Sequence, residues 1–482
     1  MKRAILVMML ISVSAGYAKV TKQKRAAREW MQENNAAAVD CARDIWEHPE
    51  LGELETYSSE RLAEFLERGG FEITRGVAGM PTAWVATYTG APGPVIGFLA
   101  EFDALPGLSQ AAEEPTRKPL VEGGAGHGCG HNLLGTASAF AALGVRQAMI
   151  ERKLPGTVKV FGCPAEETLV GKVYMAREGV FDGVDAMLAW HPGTKNAVSY
   201  RSSLAMTSIK FRFHGKTAHG AGDPHHGRSA LDAVELMSVG VNYMREHVIE
   251  KARIHSVVTN GGGAPNVVPD IAEVWYFVRA PRTKDQRPIL EWVREIAKGA
   301  AIMTKTRLEE ELLVSCYELL LNDPLAELLQ ENLEEVGPPE FNESDWEFAR
   351  KLSESFDEEP EDSVLLDTTI AELKIVPPDE WKWGGGSTDD GDVSWNVPCG
   401  RMTTACSVKG SPGHSWQVVS CTGSQAAFKG MTTAAKVLAG AGVDLLHKPK
   451  WIERAQEDFV EKLAGRSYEC GVPDSLQPPH SR

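Results

Sequence analysis

The order of patterned segments changes twice along this chain, and that double change restricts the fold more than any single motif does. Up to about residue 203, short apolar runs at 83–90, 95–107, 156–167 and 186–193 alternate with segments of helical apolar spacing, such as 58–70 and 133–151. Strands separated by helices predict a mostly parallel sheet with helices on both faces. From 204 to 316 the predicted order becomes strand, helix, strand, strand, helix, strand, which is the split, ferredoxin-like unit. Strand-type patterning then returns at 402–410, followed by a long helical pattern at 424–446. A chain of 482 residues is too long for one compact core. The expected architecture is an α/β domain, made from 19–203 and 317–448, interrupted by an α+β domain over 204–316. The acidic stretch 341–363 is expected to be a solvated helix and loop. The tail 449–482, ending in "GVPDSLQPPHSR", is expected to be peripheral and disordered.

Residues 1–18 follow a different pattern. A basic "MKR", an apolar run and the small-residue stretch "SAGYA" have the layout of a secretory signal peptide, with cleavage after Ala18. The expected location is therefore periplasmic or secreted, with no membrane attachment once the leader is removed. The run is too short to span a bilayer, and no later segment is expected to do so. A formal charge of −16 leaves no basic stripe for phosphates and argues against a nucleic-acid partner. Export permits disulfides among the eight cysteines, but their spacing does not specify pairs.

Soft and borderline donors recur where predicted strands end: Cys129 and His131 in "GCGH", Glu166 and Glu167 in "CPAEE", His191 in "AWHPG" and His414 in "SPGHSW". Open α/β sheets gather ligands beyond the carboxyl ends of their strands. A thiolate, imidazoles and carboxylates together suit zinc or a similar divalent ion. One carboxylate of the Glu166–Glu167 pair could bind metal while the other moves a proton between water and a leaving amine. Read singly, each His is more often a packed or surface residue, and Cys129 could instead be a nucleophile or a redox thiol.

Seven segments, "HPELGELETYSSERL", "AEFDALPG", "GHGCGHNLLG", "CPAEET", "GKTAHGAGDPHHGRSALDA", "APNVVPD" and "GSTDDGDVSW", resemble a family of metal-dependent amidohydrolases and peptidases. That family includes aminoacylases and carboxypeptidase G, and the resemblance runs from about Arg28 to Leu446. It implies two divalent ions, zinc or manganese, held by Cys129, His131, Glu167, His191 and His414. Glu166 would be the general base and acid, and Asp103 would orient a ligand histidine. His219 would reach the oxyanion across a dimer, while Asn266 and Arg279 would meet a substrate carboxylate. The inserted domain becomes a lid and dimerisation domain, serving a homodimer or a heteromer with a related subunit. The implied reaction is hydrolysis of an amide between an acyl or aroyl group and an amino acid, such as aminobenzoyl-glutamate. A dipeptidase or general aminoacylase is the near alternative, and a non-catalytic metal or peptide binder the distant one. One departure stands out: Asn132 follows His131 where many relatives have Asp.

Overall fold

The computed structural model describes residues 20–357 and 364–479, so the leader expected at 1–18 lies outside the described residues. Among the described residues, eleven strands make two sheets. The larger contains β1 (Glu72–Arg75), β2 (Trp84–Thr89), β3 (Val95–Glu101), β4 (Thr157–Cys163), β5 (Ala186–Gly193), β6 (Ala197–Val198) and the last strand, Cys399–Ala405. The smaller contains β7 (Ala205–His214), β8 (Arg253–Asn260), β9 (Ile271–Ala280) and β10 (Arg307–Cys316), which leaves the Cys399–Ala405 strand as β11.

The larger sheet runs β1-β2-β4-β3-β5-β11-β6. Its four central strands β4, β3, β5 and β11 are parallel, while β1, β2 and β6 pair antiparallel at the two edges. Being covered on both faces, the central strands are apolar almost throughout; β3 is buried from Ile96 to Glu101. One face packs against the helices His131–Arg152 and Gln425–His447, and Lys22–Glu47 packs in turn on those two helices. The helix His131–Arg152 is long and apolar enough to cross a membrane by length and composition, contrary to the sequence expectation, but 83% of its apolar window is buried inside the protein. It is the core helix of this domain.

The smaller sheet is wholly antiparallel and runs β10-β7-β9-β8, so its strands stand in the order fourth, first, third, second. Helices Ala230–Met244 and Thr283–Thr304 cover one face, with Phe211, Phe213, Val234, Val274 and Val293 buried between. Both crossings therefore have the split βαβ order expected of 204–316.

The tail differs from its sequence expectation. Residues Lys450–Leu463 form a helix, and Val472 is 1% exposed in the core beneath the sheet. Tyr468 donates its hydroxyl to Asp392 at 2.8 Å. The polar, proline-containing composition concealed a few well-spaced anchors. All eight cysteines are unpaired thiols.

Candidate metal centre

The four parallel strands end on one side of the sheet, and each delivers chemistry there. Asp103 lies two residues past β3, Glu166 and Glu167 follow β4, His191 sits within β5, and His414 lies in the loop after β11. Cys129 and His131 come from the glycine-rich segment that opens the core helix. Gly130 between them has φ +85°, and a Cβ there would stand 2.7 Å from Pro192 Cγ. Only glycine lets the chain turn so closely that residues 129 and 131 face the same space.

These donors converge as two sets sharing the thiol. Donor atoms of Cys129, His131 and His191 lie within 4.8 Å of one another, as do those of Cys129, Glu167 and His414. The imidazoles are pre-oriented. His131 Nδ1 donates to Asp103 Oδ1 at 2.7 Å, and His191 Nδ1 to the Pro192 carbonyl at 2.7 Å, which leaves both Nε2 atoms facing the cluster. His191 Nε2 is 3.2 Å from Cys129 Sγ. Asp103 also accepts from the Glu167 backbone N–H at 2.9 Å, so one carboxylate positions two candidate ligands.

The backbone is strained where it presents the carboxylates. Ala165 and Leu169, at the ends of the short turn Glu166–Thr168, have φ of 56° and 60°, and His414 has φ 52°. Such left-handed non-glycine residues are uncommon and cluster at functional sites. Buried Glu55, from the first of the seven segments, holds the turn by accepting from Ala165 N–H at 2.6 Å.

Electrostatics favour a cation. His131 Nε2 and Glu167 Oε1 are buried without hydrogen-bond partners. Burial pushes the Cys129 thiol up to about 12, too high for a free thiolate nucleophile at neutral pH. Burial and then the Glu101 charge push Glu166 well above the ordinary carboxylate range. Burial, followed by the charge of His131, lowers His191 to about 4 and keeps its imidazole neutral, as a ligand must be. The residues therefore fit divalent ions.

The remaining expected residues lie apart from this cluster. His219 and Asn266 are exposed on neighbouring loops of the smaller domain, joined by a Gly220 N–H to Asn266 carbonyl bond of 2.7 Å. Backbone N–H groups of Ala221 and Gly222 donate to His219 Nδ1, so its Nε2 carries the proton and points away as a donor. Arg279 on β9 donates to Ser387 Oγ at 3.2 Å, and among the described residues no carboxylate pairs with it. Asn132 is buried and donates to the carbonyls of Ala42 and Thr422 at 3.3 and 3.2 Å. An aspartate could not make those bonds, which accounts for the departure in structural terms.

Sequence reasoning missed a buried ionic network behind His131. Lys172 Nζ, fully buried, contacts Glu101 at 2.7 Å, Asp389 at 2.6 Å and Asp390 at 3.4 Å, and Arg401 closes on Asp390 at 2.9 Å. A signal existed. Glu101 and Asp103 are two apart at the end of one strand, a spacing that places both on one side.

Comparison with known proteins agrees with this geometry. Fold and donor set define a metal-dependent hydrolase of amide bonds. Residues 97–362 match Peptidase family M20/M25/M40, and the chain belongs to that family. It is 39% identical to one of the subunits of the p-aminobenzoyl-glutamate hydrolase of Escherichia coli, over 91% of this chain and 95% of that one. It is 30% identical to the Xaa-Arg dipeptidase of Mus musculus over 91% and 93%. Among solved structures, an aminobenzoyl-glutamate utilization protein from Klebsiella pneumoniae has the same fold, with TM-score 0.60 at 19% identity over 87% of this chain and 98% of that one. A dinuclear metal binding peptidase from Bacillus subtilis aligns with TM-score 0.56 at 19% identity over 86% and 99%.

Proposed function

We propose that the protein hydrolyses the amide of an N-acyl or N-aroyl amino acid, with aminobenzoyl-glutamate as first substrate, at a centre of two zinc or manganese ions. The observation that carries this reading is the pair of donor sets sharing Cys129 beside the largely buried carboxyl of Glu166. Cys129, His131 and His191 would hold one ion, and Cys129, Glu167 and His414 the other. When bound, such ions bring the pKa of a water to about 7 and polarise a carbonyl. Glu166 takes the proton that the attacking water loses and hands it to the leaving nitrogen. His219 donates from Nε2 to the oxygen that gains charge, and Asn266 helps place the substrate.

Arg279 receives the substrate's carboxylate. Its half-buried guanidinium has no acidic partner among the described residues, and its Nε has no acceptor, so a structural salt bridge does not account for it. A second copy of the chain, or a related subunit, would bring His219 to the centre. The smaller domain exposes Leu236, Val239 and Tyr243 on a helix and Val257 and Val258 on edge strand β8, a surface suited to such pairing. The leader adds export to the proposal, and a mature form beginning at Lys19 in the secreted or periplasmic fraction tests it.

The test of function uses metal-loaded mature protein, sized by light scattering, against a mass-spectrometric panel. Aminobenzoyl-glutamate, N-acyl amino acids, Xaa-Arg dipeptides and α-amidated versions of each belong in it. Release of a free amino acid is expected, with the amidated compounds markedly slower. No turnover across the panel by an ion-bearing sample would leave the protein a binder, and a monomer at micromolar concentration would remove the dimer.

A further inference from the structure

We propose that Glu101 is an additional ligand of the ion held by His131, and that Lys172 keeps it aimed there; the proposal rests on the metal-dependent reading above. Glu101 ends β3 and its two oxygens have different partners. Oε1 accepts from Lys172 Nζ at 2.7 Å, while Oε2 lies 3.3 Å from His131 Nε2.

Donor atoms of Glu101, His131 and Glu166 lie within 4.8 Å of one another, a third set beside the two that share Cys129. His131 Nε2 is buried there without a hydrogen-bond partner, although Glu101 Oε2 stands close to it. Nitrogen and oxygen donors bonded at about 2.0–2.2 Å and separated by this spacing subtend roughly 105° at one ion, close to tetrahedral. Glu166 Oε2 lies 3.9 Å from the same nitrogen, so the ion would sit beside the proton carrier.

Glu101, Asp389 and Asp390 all face Lys172, and Arg401 faces Asp390, within the protein interior; of the three carboxyls, Glu101 is the one that adjoins His131. Lys172 occupies the middle of the three carboxylates and so fixes the Glu101 side chain by Oε1, with Oε2 turned toward His131.

The test compares wild type with Glu101→Gln, which preserves shape and the acceptor for Lys172 but removes the anionic donor. Metal-free proteins are titrated with zinc against a chromophoric chelator, and cobalt-loaded samples are examined by visible absorption, which reports coordination number. Wild type is expected to take up two ions, and Glu101→Gln to bind one of them on the order of 100-fold more weakly with an altered cobalt spectrum. His131→Ala should weaken the same ion. Should Glu101→Gln fail to fold, Glu101→Asp takes its place, with the same weakening and spectral change expected from the shortened donor. Both ions bound within about threefold of wild type, or weakened with an unchanged cobalt spectrum, would overturn the ligand role while sparing the metal-dependent reading. A wild type that takes up no ion would overturn both.

Discussion

Glu166→Gln is expected to lower kcat by about 10²–10⁴-fold while the protein still takes up its ions. Glutamine has the same outline and keeps an acceptor oxygen, but it cannot accept a proton from water and return it to a leaving amine. Glu166 belongs to neither donor set built on Cys129, so its loss leaves those ligands in place. The environment supports the role. Burial and the neighbouring Glu101 charge raise its affinity for a proton well above that of an ordinary carboxyl, the direction needed by a group that both takes and gives protons. Cys129→Ala makes the contrast, because it should reduce ion content along with turnover. Steady-state rates coupled to metal analysis check both variants, and near-normal turnover by Glu166→Gln would remove it from the proton-transfer role.

Lys172→Met is expected to destabilise the fold by about 3–5 kcal/mol, a large part of the stability of an ordinary domain. The long apolar stem is retained, but Glu101, Asp389 and Asp390 lose their ammonium in a space without water-facing atoms. Burial, relieved only in part by Lys172, already pushes Asp389 up to about 7, so the network carries more negative charge than it can easily hold. Adding Asp389→Asn to Lys172→Met should restore part of the loss, because it removes one of the stranded charges. Denaturant unfolding of the single and double variants measures this. An unchanged midpoint for Lys172→Met would mean that the four groups contribute no net stability as a set.

Much of this was legible in the residue order. The parallel sheet and the split βαβ unit follow from apolar periodicity, because strands buried on both faces and helices with one apolar stripe leave different marks. Glu167, His191 and His414 were legible because they stand at or just beyond predicted strands, where an α/β sheet opens, whereas Cys129 and His131 open the core helix and were legible from their residue types and glycine-rich setting. Lys172 was not, since a buried lysine in a short helix is indistinguishable in sequence from a solvated one until its three acids are brought from residues 101, 389 and 390. The tail was misread for a related reason. Its anchors, Tyr468 and Val472, are isolated among polar residues, and only tertiary contact with Asp392 and the core makes them structural. His219 remains exposed in the single chain.

The most direct measurement removes every divalent ion from folded protein with a chelator, then restores zinc or manganese stepwise while amide cleavage is followed. Activity should vanish on stripping and return in proportion to ions bound, reaching its maximum at two per chain. A stripped, folded sample that cleaves as fast as the untreated one would contradict the account.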